Sequence, residues 1–126
     1  LLSSATGRIF AAWMPKKIVA PLIAAEIKAA DVPADLKTKA GIEILLTKIR
    51  EDGFATREDF YRVPGIEAIA APVFNFKNEI TMAVLVVGVQ GMFDVSPDGR
   101  VVKTVRRYAA ALSLRLGATG TPKVPV

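Results

Sequence analysis

Apolar residues in the first half of the chain recur three or four positions apart, which is the spacing of an amphipathic helix. They predict a first helix over residues 3–14, with Ser4 or Thr6 as its N-cap. A second helix is predicted to begin at Pro15, and Pro21 should kink or split it. A third should end at Gly53, which suits a left-handed C-cap. The aliphatic residues expected to be buried are Ile18, Leu22, Ile23 and Ile27 in the second helix, and Ile42, Leu45, Leu46 and Ile49 in the third.

The pattern changes after residue 53. Residues 54–58 are expected to form a short strand, and residues 59–65 a polar loop. Residues 66–74 and 80–88 are two apolar runs rich in β-branched residues, and the turn-like segment between them favours a β-hairpin. Asn78 tolerates the positive φ that such a turn often needs. Because both runs are apolar at nearly every position, both faces of the sheet should be covered.

The final helix is predicted from its start signal, Asp-Val-Ser-Pro-Asp at residues 94–98. Its expected buried residues are Val101, Val105, Tyr108, Leu112 and Leu116. Residues 119–126 contain two prolines and no periodicity, so we expect a flexible tail after a domain of residues 1–118. The fold class is α+β. Only two or three strands are predicted, and since a two-strand hairpin is marginal alone, strands upstream of this chain or a second subunit should complete the sheet.

Composition removes several classes of function. The 126 residues are 52% apolar, which is enough for one domain with a real core. Histidine and cysteine are absent, so neither a Ser-His-Asp or Cys-His catalytic site nor a zinc site with nitrogen or sulfur ligands can be built. We expect no metal and no cofactor. No apolar run has the roughly 20 residues that span a bilayer, so we expect a soluble, cytoplasmic chain without membrane contact.

The net charge of +5 leaves a nucleic-acid-binding domain open as an alternative function. The basic residues of the final helix would then make the contact. Aromatic residues are not interleaved with them, as base stacking would require, which favours an ordinary basic surface. A second alternative is an acid-base enzyme that uses Glu58, Asp59 or Glu67, although nothing in their spacing asks for one.

Three segments carry a resemblance to a known family. Residues 4–9 read Ser-Ala-Thr-Gly-Arg-Ile, residues 49–55 read Ile-Arg-Glu-Asp-Gly-Phe-Ala, and residues 64–74 read Pro-Gly-Ile-Glu-Ala-Ile-Ala-Ala-Pro-Val-Phe. An apolar strand ending at Gly88 and a long helix ending at Gly117 follow. In this order they resemble the effector-binding domain of IclR-type transcription regulators, with its Ser-Ala-x-Gly-Lys/Arg-Ala, Ile-Arg-x-x-Gly-Tyr/Phe-Ala and Gly-x-x-x-x-Ala-Ala-Pro-Val/Ile segments.

The resemblance implies a GAF-like domain, an antiparallel sheet flanked by helices, whose first strands lie upstream of this chain. It implies a sensing and oligomerisation domain, not an enzyme, that binds a small-molecule effector and pairs as a homodimer or tetramer. DNA would be bound only by a winged helix-turn-helix domain outside the chain.

The resemblance also implies an effector site. Backbone amides at Ala5 and Thr6, with Gly7 just behind them, would form the part of the site at the helix start, since a helix N-terminus favours an anionic group. A loop acid aligns with Glu58 or Asp59. The strand positions are Ile66, Ala68, Leu85 and Val87. Where relatives often have two serines, this chain has Leu85 and Val87, which implies an apolar or aromatic organic acid as effector, or side chains that simply fill the cavity.

Overall fold

The computed structural model describes residues 1–29, 32–58 and 64–126. The helices are α1 (Ala5–Trp13), α2 (Lys16–Ala29), α3 (Lys39–Asp52) and α4 (Arg100–Arg115), with a short 3-10 helix over Ala34–Lys37, and the strands are β1 (Ala55–Glu58), β2 (Ile66–Phe74) and β3 (Ile80–Val89). Within the described residues no helix has the length and apolarity needed to cross a membrane.

Two of the predicted helix boundaries follow from local capping chemistry. The Ser4 side chain accepts a hydrogen bond from the Gly7 amide at 3.0 Å, which confirms Ser4 as the N-cap of α1. Gly53 adopts a left-handed conformation with φ of 78°, and its amide bonds the Ile49 carbonyl, as predicted for the end of α3. Ile42, Leu46 and Ile49 are buried along α3, so its predicted stripe is confirmed at these three positions.

The second helix differs from its prediction in two respects. It is not split at Pro21, since it runs as one α-helix from Lys16 to Ala29, and a kink at Pro21 stays a prediction. Its buried residues are Val19 and Ile23, whereas Ile18 and Leu22 are 41% and 53% exposed. Each residue turns the helix by about 100°. The apolar pair Ile18 and Leu22 therefore projects away from the face that packs on the domain.

The three strands form one antiparallel sheet in the order β1-β2-β3. In its register Ala55 pairs with Ala70, and Ala68 pairs with Val87. The turn between β2 and β3 contains Asn78 with φ of 59°, so the predicted hairpin and its turn residue are confirmed. Helices and antiparallel strands occupy separate stretches of the chain, and the predicted α+β class is confirmed.

The sheet separates two apolar clusters because alternate residues of a strand point to opposite faces. On the first face, called the α1 face, the members include Ala55, Ala68 and Ala70 from the sheet and Ile9 and Trp13 from α1. On the second, called the α4 face, they are Phe54, Ile69, Ala71, Val73, Val102, Val105 and Ala109.

Strand β3 does not meet the expectation that both of its faces are covered. On the α1 face Leu85, Val87 and Val89 are 39%, 46% and 60% exposed. Among the described residues β3 pairs with β2 alone, and on this face Ala83 packs against the cluster beneath α1 whereas Leu85, Val87 and Val89 do not. The prediction of full coverage is wrong for β3, because an edge strand is buried only as far as its neighbours reach.

The last helix begins later than predicted, at Arg100, with Gly99 as its N-cap. The Asp94 side chain instead accepts a hydrogen bond from the Ser96 amide at 2.9 Å, which forms a turn before the helix. The predicted buried stripe is also wrong in part. The buried residues are Val102, Val105, Ala109 and Ser113, whereas Tyr108 is 62% exposed. Val102, Val105 and Ala109 are the residues of α4 that pack on Ile69, Ala71 and Val73 of β2, and Tyr108 is not among them.

Residues 119–126 contain no helix or strand. They are nonetheless hydrogen-bonded to the domain: the Thr119 amide donates to Asn78 Oδ1 at 2.9 Å, and the Lys123 amide donates to the Asn78 carbonyl at 2.9 Å. The Lys16 amide donates to the carbonyl of Val126 at 3.3 Å. The flexibility of this tail stays a prediction, and these contacts favour a tethered segment.

Candidate functional site

Two contacts determine how α1 lies on the sheet. Arg57, which pairs with Ala68, donates a hydrogen bond from Nε to the Ser3 carbonyl at 3.3 Å. At the other end, the rings of Trp13 and Phe74 meet edge to face with centroids 5.1 Å apart. The start of α1 therefore lies at the Ala68 end of the sheet and its last turn at the Phe74 end.

The predicted residues at the start of α1 lie at that end, and each has a different environment. Ala5 is fully buried in the α1-face cluster, and Thr6 is half-buried. A side chain at Gly7 would collide with the backbone of Leu1, and the Gly7 amide already donates to Ser4. Gly7 thus permits a close approach of the preceding segment. Whether the amides of Ala5 and Thr6 face an effector stays a prediction.

The predicted strand residues lie on the α1 face beside this helix start. Ala68 is fully buried and Ile66 half-buried. Val87 lies directly opposite Ala68, and Leu85 directly opposite Ala70, each partly exposed. Together they form an apolar wall that is covered over β2 and open over β3. Hydroxyl donors are absent from this wall at both β3 positions, in line with the departure noted in the sequence.

The predicted loop acid has two alternatives, Glu58 and Asp59. Glu58 is the last residue of β1, and its backbone pairs with Glu67. Asp59 lies outside the described residues. Both assignments stay predictions.

Two arginines flank the start of α1, and sequence reasoning did not single them out. Arg8 donates from Nε to the Leu2 carbonyl at 2.8 Å and from a terminal nitrogen to the Thr56 carbonyl at 3.0 Å. Burial lowers the pKa of Arg8 from its usual value, and repulsion by Arg57 lowers it further. In the described part of the chain the Ser3 carbonyl is the one hydrogen-bond partner of the Arg57 side chain. Strand alternation from the buried Ala55 would have placed Arg57 on this face.

Glu26 of α2 holds the segment that precedes α1. Its carboxylate accepts hydrogen bonds from the Leu2 amide at 2.9 Å, from the Ser3 amide at 2.9 Å and from the amino group of Leu1 at 2.6 Å. Burial alone would raise the pKa of this carboxyl, but the three donors outweigh it, so the pKa is lowered from 4.5. The acid therefore fixes the geometry of the helix start from the opposite side.

Comparison with known proteins shows the family to which this chain belongs. Residues 1–114 match the family model described as the bacterial transcriptional regulator IclR C-terminal domain. The chain belongs to the IclR C-terminal domain family. The resemblance drawn from the sequence motifs is thereby confirmed.

Two solved structures have the same fold as this IclR domain. The structure of Pseudomonas aeruginosa HmgR matches with a TM-score of 0.81 and 32% identity, over 95% of this chain and 46% of that chain. An IclR transcriptional regulator from Alicyclobacillus acidocaldarius matches with a TM-score of 0.72 and 26% identity, over 89% of this chain and 44% of that one. The predicted GAF-like domain is confirmed as an α+β domain of the kind found in IclR structures.

A relative by sequence is the HTH-type transcriptional regulator RhmR of Escherichia coli (strain K12), 30% identical over 90 residues. The match covers 70% of this chain and 34% of RhmR. This IclR domain thus spans less than half the length of each of these three proteins.

These relatives are transcriptional regulators, which are not enzymes. In the IclR domain, Glu67 is buried and, by alternation along β2, lies on the α4 face, away from Ala5 and Val87. The described residues contain no group of three or more acids that could hold a metal ion. The geometry thus brings an apolar wall, a helix start and two cations together, and leaves the buried acid apart from them.

Proposed function

We propose that this chain is the effector-sensing and oligomerisation domain of a DNA-binding transcription regulator. Its effector is a small organic acid with an apolar or aromatic body. Effector binding shifts the population of domain arrangements and so alters the DNA affinity of a helix-turn-helix domain that lies outside this chain, in the cytoplasm. The name of RhmR, an HTH-type regulator, supports the DNA-binding part of the proposal.

The observation that carries the proposal is the open part of the α1 face. Leu85, Val87 and Val89 keep 39%, 46% and 60% of their surface exposed in a row beside the start of α1. A folded domain gains by covering such a row, and an apolar ligand body provides the cover. This position also matches the residues that the family resemblance implies.

The charge of the surroundings supports an acid over a neutral ligand. The first amides of α1 carry the positive end of its dipole. Arg57 lies half-buried at the same end and uses one nitrogen on the Ser3 carbonyl, so its remaining donors suit a carboxylate. The apolar wall holds the body of the ligand, and the cations and amides orient its charged group.

The test is a binding titration of the 126-residue chain with 3-phenylpropanoate, its primary amide and glyoxylate. We expect the aromatic acid to bind and to raise the melting temperature in a dose-dependent way, by linkage to the folded state. The amide, which lacks the charge, should bind at least about tenfold more weakly, equivalent to about 1.4 kcal/mol. Binding of glyoxylate alone would contradict the apolar effector.

Two variants and a matched control locate the site. Arg57→Gln should weaken binding of the acid without changing binding of the amide. Only the acid has a negative charge that pairs with the guanidinium group. Leu85→Ser should weaken both ligands by removing apolar wall. Lys77→Gln removes an exposed cation at the hairpin turn, at the far end of the same strands, and should have no effect. An equal loss of affinity for the acid in all three variants would contradict the assignment of the site.

The oligomerisation part of the proposal is supported by the outer edge of β3, which has no strand partner among the described residues. A ten-residue edge strand presents unpaired backbone groups, and in the longer protein we propose that upstream strands and the partner domain of a dimer or tetramer cover it. Light scattering of the 126-residue chain should show a mass that rises with concentration. Val87→Lys should suppress that rise, whereas Val124→Lys, which places the same charge on the tail, should not.

A further inference from the structure

A groove of about 760 Å³ lies between α2 and α3, lined by these two helices, the end of α1, Lys37 and Pro125. It includes none of the residues of the site described above. Its volume lies within the roughly 300–1,000 Å³ that is usual for small-molecule sites. The groove is thus large enough for a ligand of its own.

The floor of the groove is apolar because aliphatic side chains of α2 and α3 line it. Ile23 and Ile27 contribute from α2, and Ile42 and Leu46 from α3. Of the residues along α2, only Val19 and Ile23 are buried. Small side chains, chiefly alanines, lie on the groove side of α2, so they leave the space open rather than fill it.

The two helices run in opposite directions along the groove. Arg50, late in α3, donates a hydrogen bond to the Ala12 carbonyl at 3.2 Å, close to where α2 begins. Lys39, the first residue of α3, therefore lies toward the end of α2 that carries Ile27. From Lys16 to Ile27 the groove side of α2 extends over about 16 Å.

The two ends of the groove differ in charge. At the Lys16 end, Arg50 forms an ion pair with Glu43 at 3.0 Å, and Pro125 contributes apolar surface. At the other end lie Lys37 and Lys39, and neither has an ion-pair partner among the described residues. Lys16 also lacks an ion-pair partner among the described residues, so one end of the groove has a single unpaired lysine and the other end has two.

We infer that this groove binds a monocarboxylate with an extended aliphatic chain. The carboxylate lies between Lys37 and Lys39, and the chain runs between Ile27 and Leu46 toward Pro125. A polyanion fits poorly, because the floor offers it no further donors. A neutral lipid leaves both lysines without a counter-charge. The apolar groove and the two lysines therefore favour the same ligand only when it has both an apolar chain and a negative charge.

Calorimetric titration with dodecanoate, below the concentration at which it forms micelles, tests the inference on the 126-residue chain. Dodecyltrimethylammonium, with the same chain and the opposite charge, and butanoate, with the same charge and a short chain, are the matched ligands. Dodecanoate should bind with one site per chain, and each of the others at least about tenfold more weakly. Equal binding of the cationic detergent would overturn the inference, as would no binding of dodecanoate.

Variants separate this groove from the effector site. Ala24→Trp fills the groove from an exposed position, and K37E/K39E reverses its charged end, so each should weaken dodecanoate at least about tenfold. K77E/K103E changes the net charge equally at exposed positions elsewhere and should leave binding unchanged. Melting curves show that each variant is folded.

Three results would overturn the assignment of this groove. One is undiminished binding by both folded groove variants. Another is loss of dodecanoate binding in Arg57→Gln, which would place the acid at the effector site. The third is a dimer that Ala24→Trp converts to a monomer while dodecanoate binds neither form, which would make a second copy the occupant.

Discussion

The two faces of the sheet are covered to different extents. On the α4 face, one helix packs Val102, Val105 and Ala109 across β2, and Ile69 and Val73 beneath them are fully buried. On the α1 face, the helix covers β1 and β2 and leaves a row of three apolar residues of β3 partly exposed. The α4 face is therefore the closed part of the core, and the α1 face contains the exposed apolar row on which the proposed function depends.

The largest expected effect compares one aliphatic side chain from each face. Ile69→Ala should lower the free energy of unfolding by about 2–5 kcal/mol, because it leaves a cavity in a fully buried cluster. Val87→Ala on the open row should lower it by less than about 1 kcal/mol. Urea unfolding of both variants measures the two values. Similar losses would mean that the two faces are equally packed.

A second prediction concerns the polar contact that joins α4 to β2. Ser113 Oγ accepts from the Phe74 amide at 3.0 Å and donates to the Ala109 carbonyl at 2.8 Å, and all of this is buried. Ser113→Ala should cost about 1–3 kcal/mol, since the Phe74 amide is left buried without an acceptor. Thr104→Ala, which removes a comparable bond to the Arg100 carbonyl at the exposed side of α4, should stay within about 0.5 kcal/mol. Equal changes in the free energy of unfolding for the two variants would contradict the burial of the Ser113 contact between α4 and β2.

The third prediction tests the α1 face through pH. Glu26→Gln should lower the free energy of unfolding by about 1 kcal/mol at neutral pH, after allowance for solvent screening, because an amide oxygen accepts the same bonds without charge. Since the folded-state pKa of Glu26 is lowered, its contribution is complete above 4.5 and is lost as pH falls through the lowered value. Urea midpoints between about pH 7 and pH 3 should therefore converge for the two proteins at the acid end. A difference that persists there would assign the effect to packing.

The smallest effect concerns the outer side of α4. Tyr108 is 62% exposed, and its ring contacts the Arg107 guanidinium at 5.8 Å. Tyr108→Ala should change the free energy of unfolding by about 0.5 kcal/mol at most. A buried tyrosine, as the helical spacing predicts, would cost several times more. Thermal or urea unfolding thus decides between the predicted stripe and the observed one.

Local chemistry accounts for what could be predicted from the sequence. The Ser4 cap, the left-handed Gly53 and the turn at Asn78 each depend on neighbouring residues alone, and all three are confirmed. The family motifs also lie in such short segments, which is why the fold class and the family could be inferred together.

Tertiary packing accounts for what could not be predicted. Apolar spacing is compatible with more than one buried stripe, so Ile18 was expected inside α2 and Tyr108 inside α4, although both are exposed. The exposure of Leu85 depends on which strand lies beyond it, and nothing in β3 itself encodes that. Arg57 enters the candidate site only because the start of α1 crosses β1 at this point.

The sequence of β3 also bears on the aggregation of the newly synthesised chain. Residues 80–89 read Ile-Thr-Met-Ala-Val-Leu-Val-Val-Gly-Val, with no charge and no proline to interrupt them. Such a segment is a template for cross-β growth when it is left unpaired. We therefore expect any neighbour that covers this strand to lower the tendency to form fibrils, and a charged side chain placed on the strand to do the same in the isolated domain.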